Sequence, residues 1–395
     1  MGATVIRGSQ FYFLTVNFCI GTTLFVLIPS LVQAGGRDSW LIPLWGGACG
    51  MFFALLWIWL YRLYPGLSLA QISLAALGRP LGTVVATLYY LHFSVIAGFV
   101  LRNLSDFLTG TILPKTPGPV FHIMFLAVAS YAAAQGVETI ARLNQLLTPL
   151  LAFPFWFVIL LATVNWDWSR FVPAFQPETL AGVFRFHTIL GFPFLEPVAL
   201  LMIFPFVDGK TGRMLMAGIA TAAASISLTV FAIIGSLGVE RTTKMTFPIY
   251  SLVQEVAVND VIINIQSVIS IILLTLIFIK LQVLYYAAFE TLRQTFRPVM
   301  RWPLLLGVSM VLAGIAPSII ENGIQNSEWR KNFTFAHDAI FGLGFPALLL
   351  AVTLIRLAAG KRPGAGRGVQ AGAGARSATG KGAQSGSGMG PRTGG

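Results

Sequence analysis

Apolar residues in this chain run in long unbroken stretches, not alternating as on a half-buried strand or a surface helix. Ten such runs occur, near 10–33, 40–62, 82–109, 119–136, 145–165, 184–207, 213–238, 262–290, 302–320 and 336–358. About 20 apolar residues cross a bilayer as a helix, so each run predicts one membrane span. The connections are short and rich in turn formers, such as "AGGRDS" and "LPKTPGP". The stretch 239–260 is longer and mixed, and is expected to be a loop carrying an interfacial helix. The fold class that follows is an all-α integral membrane protein of ten transmembrane helices.

Two of the runs are interrupted in matching places. Span 1 reads "NFCIGTTLFVLIP", with Gly21, Thr22 and Thr23 near its middle and Pro29 beyond. Span 6 reads "GFPFLEPVALLMIFPF" over 191–206, with Pro193, Pro197 and Pro205 around a carboxylate, Glu196. Spans 1 and 6 open the two halves of a ten-span chain, so the pattern predicts a five-plus-five inverted repeat with broken helices 1 and 6. Unwound backbone survives in a membrane only where protein buries it or it lines a cavity. Such breaks are the best sequence pointer to a ligand site at mid-membrane.

Composition agrees with this picture. The 395 residues are 56% hydrophobic and 10% charged, where a soluble domain carries about 25% charged residues. The net charge of +12 is read as lysine and arginine marking cytoplasmic loops, not as a nucleic-acid surface. Arg7, Arg62, Arg79, Arg142, Lys210 and Arg213 fall on the face that holds both ends, so both termini are expected in the cytoplasm. The first run is too long for a cleaved signal and lacks its small-residue site. Cys19 and Cys49 lie inside apolar runs, which argues against a disulfide. Residues 1–359 are expected to form the transmembrane domain. Residues 360–395, glycine-, alanine- and serine-rich without aromatics, are expected to be a disordered basic tail.

Candidate chemistry is concentrated on a few buried charges. A charge at a helix centre costs about 2.5–3.5 kcal/mol on insertion scales, so such residues face the interior and mark function. Glu196 is expected to bind a ligand ammonium, carry a proton or pair with a base. Lys280, in "LLTLIFIKLQVLYYAAFE" of span 8, is its expected partner; it either stands where a coupling cation would or fixes the helix. Gln282 and Tyr286, four residues apart on one face, are expected to line a cavity wall while Lys280 points elsewhere. In span 3, Arg102 and Asp106 are expected to neutralise each other, and Ala97 and Gly98 to leave room for a helix or a ligand. Span 7 reads as a packing helix rich in small residues. The four histidines, His92, His122, His187 and His337, show no metal-ligand spacing. No phosphate loop, nucleophile with a base or catalytic metal motif occurs, so no enzyme, cofactor or resident metal is expected.

Several stretches together resemble the spore germination permease family, the B subunits of endospore nutrient germinant receptors. They are "IGTTLFVLIPSLVQAGGRDSWL", "YPGLSLAQI", "LPKTP", "FPFLEP" followed by "FPFV", and "FIKLQVLYYAA". The resemblance covers roughly residues 8–358 and rests on many moderately specific stretches; the long glycine-rich tail departs from it. It implies an amino acid/polyamine/organocation transporter fold in the spore inner membrane, beside a larger membrane A subunit and a lipoprotein C subunit. It implies sensing of an amino acid, sugar or nucleoside. Its ligand pocket maps onto Gly21, Thr22 and Thr23, Ala97, Gly98 and Leu101, Phe194, Leu195 and Glu196, and Gln282 with Tyr286. A proton- or sodium-coupled amino acid transporter of the same fold is the alternative.

Overall fold

The structure, a computed structural model, describes residues 6–256, 263–318 and 333–360. Among these residues, nine helices are long and apolar enough to cross a membrane, and one bent pair supplies a tenth crossing. Helix α1 (Gly8–Ile20) begins the first span, which continues through the short α2 (Thr23–Val26) and α3 (Ile28–Gly35). Span 2 is α4 (Leu41–Leu63), followed by a short α5 (Leu69–Leu77). Span 3 is α6 (Arg79–Phe107), prolonged to Ile112 by a wider turn. Spans 4 and 5 are α7 (Gly118–Gln135) and α8 (Val137–Ala162). The bent pair is α9 (Pro177–Arg185) and Thr188–Met202, which begins as the one-turn α10 (Thr188–Gly191); the two meet at 45°. Span 7 is α11 (Thr211–Leu237), followed by α12 (Val239–Lys244) and α13 (Pro248–Val256). Spans 8, 9 and 10 are α14 (Ile263–Phe296), α15 (Arg301–Ser318) and the run α16 (Thr334–Ala339) to α17 (Phe345–Ala358).

Local chemistry sets several boundaries. Ser68 caps α5 reciprocally with Gln71: its hydroxyl accepts from the Gln71 amide while the Ser68 amide donates to Oε1, 3.1 Å away. At 9 residues this helix is too short to read as a span from sequence. Gly78 at φ +81° and Gly136 at φ +100° hold left-handed turns that reverse the chain into the next span. The mixed 239–260 stretch holds α12 and α13; residues 257–262 lie outside the described part, as do residues from 361 onward, the expected tail.

Packing brings the two broken spans to the centre. Helix α14 packs along α6, and α1 lies against α8, α11 and α14. Small residues make the close approaches. A Cβ on Gly47 of α4 would stand 2.3 Å from Cβ of Ala223 on α11, and one on Gly21 would stand 2.9 Å from the Leu276 carbonyl of α14. Large apolar side chains such as Phe52, Ile123, Leu150 and Phe153 remain exposed on the outer helix faces, as lipid-facing surfaces require. The described ends share one face: Ile6 pairs with Val207 at the end of span 6, and Arg356 reaches the Ala75 carbonyl of α5.

Candidate ligand site between the broken spans

The two interruptions differ in kind. In span 1 the backbone stays near helical angles, but the α-helix is interrupted at Gly21–Thr22 and, with its hydrogen bonds kept, marked by a second turn at Leu27 ahead of Pro29. In span 6 the change is larger. After Gly191 the chain leaves the α-helix for four residues, then continues as tight three-residue turns over Glu196–Met202 and Phe204–Phe206. Runs of this tighter helix beyond three or four residues are uncommon. Pro197 and Pro205, which have no amide to donate, sit in the first turn of each segment.

Lys280 joins the two breaks. Its side chain is fully buried, and its ammonium donates to the Glu196 carboxylate and to the Thr22 hydroxyl, the latter at 3.0 Å. The rings of Phe192 and Phe18 flank it, with centroids 4.5 and 5.2 Å away. Glu196 and Lys280, expected partners from sequence, are thus one buried ion pair, and Thr22 of span 1 is its third member.

A small cavity of about 50 Å³ opens beside the pair. Thr22, Val26, Ile96, Val100, Phe192, Glu196 and Asp338 are among its walls, with Phe99, Asn103 and Thr334. Val26 and Asn103 also line a larger vestibule of about 760 Å³, walled by Phe25, Gln33, Arg102, Asp106, Lys244 and Phe247. That vestibule lies on the face opposite the described ends. Phe25 meets Phe107 and Phe247 at ring-centroid distances of 4.8 and 4.6 Å, narrowing the passage. Among the described residues, the other face is closed. There Phe204 is held edge-on between Phe11 and Tyr61, and the Ile6 amide donates to the Phe206 carbonyl at 2.7 Å.

Of the residues singled out from sequence, Thr22 and Glu196 line the cavity and Lys280 stands behind them. Gly21 lets α14 approach. The Thr23 hydroxyl donates to the Cys19 carbonyl of its own helix at 2.7 Å. Phe194 lies on Gly46 and Gly50 of α4, and Leu195 packs on Gly342 of span 10. Ala97, Gly98 and Leu101 are buried in α6. Gln282 and Tyr286 are buried but are not among the walls of this cavity. It is Lys280 that α14 turns toward the breaks, the reverse of the expected division. Arg102 and Asp106 form their ion pair at 2.8 Å in the vestibule wall.

Asp338 was not among the candidates from sequence, where the histidines stand far apart. The fold sets the rings of His92 (span 3) and His337 (span 10) 4.8 Å apart, with Asp338 next to His337. The signal for Asp338 was present: a carboxylate in "FAHDAIFGLGF" has the same status as Glu196 in its own span.

A family model described as "Spore germination protein" matches residues 5–322. The chain belongs to the spore germination protein family. Among its curated relatives, Spore germination protein KB of Bacillus subtilis is 27% identical over 324 residues, 79% of this chain and 86% of that protein. Spore germination protein B2 of the same organism is 25% identical over 62% of this chain and 67% of its own length. Solved structures share the fold. MhsT in complex with L-phenylalanine superposes with a TM-score of 0.57 at 15% identity, over 84% of this chain and 88% of its own. A Na+-coupled sialic acid symporter in a substrate-bound outward-open state gives 0.58 at 14%, over 89% and 79%. The chain is therefore an integral membrane member of the spore germination family with a transporter fold of about ten helices.

Proposed function

We propose that this family member is the nutrient-sensing transmembrane subunit of a spore germinant receptor. It takes a small ligand bearing an ammonium group, an amino acid first among candidates, into the cavity between the broken spans. The observation that carries the reading is the Glu196 carboxylate at an apolar cavity wall, tied by Lys280 to Thr22 of the other break. A ligand ammonium arriving beside Glu196 competes with Lys280 for the same oxygens. Taking them loosens the tie between spans 1 and 6, which gives the ligand different contacts in two conformations, as any ligand-driven shift requires. Open access from one face and closure on the other fit a protein waiting for its ligand.

The receptor setting rests on the family. On that reading its partners are a larger membrane A subunit and a lipoprotein C subunit and its location is the spore inner membrane, while the lysine and arginine bias of the loops supports cytoplasmic termini. The second reading, a proton- or sodium-coupled amino acid transporter, draws on the likeness of fold to a Na+-coupled symporter.

The test is Glu196→Gln in spores. The protein is expected to accumulate, and the germinant dose response to shift at least tenfold. An unchanged dose response removes Glu196 from the site. Purified protein screened against amino acids, nucleosides and sugars by thermal shift identifies the ligand class. Concentrative uptake by the isolated subunit in liposomes would favour the transporter.

A further inference from the structure

Asp338, which shares the cavity wall with Glu196, belongs to a second polar cluster that this functional reading does not use. His92 is 1% exposed, and neither ring nitrogen has a hydrogen-bond partner among the described residues. Asp338 is 3% exposed, and its Oδ2 is equally unpartnered. His337 Nδ1 stands 3.2 Å from Asp338 Oδ1, and one ligand atom from each of the three residues lies within 4.8 Å of the others. The His92 ring stacks on Phe341 at a centroid distance of 4.2 Å, which fixes its plane. Buried polar atoms are normally satisfied by protein or ordered water. Here His337 Nδ1 and Asp338 Oδ1 satisfy each other, whereas the His92 ring and Asp338 Oδ2 bring lone pairs into the same cluster with no donor to meet them.

We propose that His92, His337 and Asp338 bind a divalent first-row transition cation, with Zn2+ the best fit. Two imidazoles and one carboxylate are the donors that such ions take, whereas Mg2+ and Ca2+ favour oxygen alone. Bonds of about 2.0–2.1 Å place tetrahedral ligand atoms roughly 3.3 Å apart, and the His337–Asp338 pair already stands at 3.2 Å. A His92 nitrogen lies within 4.8 Å of the other two ligand atoms, so small side-chain adjustments that keep the ring stacked on Phe341 bring it into the same shell. Charge points the same way: Lys280 neutralises Glu196, leaving the Asp338 carboxylate for a cation. His337, 27% exposed at its side chain, provides the way in. Three protein ligands leave a fourth position open, and Asp338 lines the cavity. The ion would tie span 3 to span 10 beside Gly191, where a Cβ would stand 3.1 Å from Asp338 Oδ2, at the turn where span 6 breaks.

The experiment uses the full chain, purified in detergent on a tag without histidines, stripped with chelator and titrated with Co2+. Wild type is expected to bind one equivalent with the visible bands of a four-coordinate ion, displaced by Zn2+, and Zn2+ is expected to raise its unfolding temperature. His92→Gln and Asp338→Asn should each weaken binding more than about a hundredfold, beyond what loss of a supporting residue costs. His187→Gln, altering an exposed ring bonded to the Arg185 carbonyl, should leave it unchanged. X-ray absorption of the wild-type zinc complex needs no variant and is expected to show two imidazole ligands. The proposal is overturned if wild type gives no such bands, if they persist in the His92 and Asp338 variants, or if the zinc shell contains oxygen alone.

Discussion

The two polar clusters that flank the cavity are built from similar parts and have opposite accounts of their hydrogen bonds. On one side, the Lys280 ammonium has Glu196, Thr22 and two aromatic faces around it. On the other, His92 and Asp338 keep polar atoms with no partner among the described residues. The first cluster is complete within the chain and links the two broken spans; the second is incomplete and links spans 3 and 10. A satisfied buried pair resists being taken apart, whereas an unsatisfied cluster is stabilised by whatever arrives to complete it.

The largest expected effect comes from opening the complete cluster. Lys280→Met strands the Glu196 carboxylate, and removing one partner of a buried pair costs about 3–5 kcal/mol. The double variant Lys280→Met with Glu196→Leu should recover most of that loss, because no charge is left without its partner. Thermal unfolding in detergent reads both. If the single variant is as stable as wild type, water or another cation already reaches Glu196 and the cluster is not closed. Thr22→Val is the next step down. It removes one hydrogen bond to a charged group, worth about 1.5–3 kcal/mol, while the ion pair stays. The same unfolding measurement should rank it between Lys280→Met and wild type.

The incomplete cluster predicts the opposite behaviour. In metal-free protein, His92→Phe exchanges an unsatisfied buried ring for an apolar one of similar shape that still stacks on Phe341. Such exchanges are nearly neutral or stabilising, so stability should stay within about 1 kcal/mol of wild type or rise. A loss comparable with that of Lys280→Met would mean that His92 has a partner of its own, and the contrast between the clusters would fail.

The contrast also explains what was legible beforehand. Glu196 and Lys280 stood out because a full charge in an apolar run has few explanations. Spans announced themselves by length, and the breaks by glycine and proline in equivalent places. The tight turns after Glu196 could not be read, since proline predicts the loss of an α-helical bond and not the helix type that replaces it. Phe194 and Leu195 sit next to Glu196 in sequence, yet they fill gaps against α4 and span 10. A residue's neighbours in a broken span point in different directions, and only packing decides which one meets the cavity. The histidine cluster was invisible for a different reason. His92 and His337 are separated by most of the chain, so no local spacing encodes their meeting; it is a product of spans 3 and 10 lying together.

The smallest predicted effect belongs to a third pair, which separates the role of charge from the role of burial. Arg102 and Asp106 are bonded at 2.8 Å, four residues apart on α6, with side chains 21% and 43% exposed in the vestibule wall. Their charges are as complete as those of Lys280 and Glu196, but water reaches them. Exposed pairs of this kind contribute about 0.2–1 kcal/mol, and salt screens them further. A double-mutant cycle with Arg102→Gln and Asp106→Asn should therefore give a coupling below about 1 kcal/mol that shrinks as salt is added. The corresponding cycle at Lys280 and Glu196 should give a larger coupling that salt leaves almost unchanged. Equal couplings would mean that the vestibule is dry at Arg102. The passage from Phe25 to the cavity would then be closed, and both faces of the molecule would be shut.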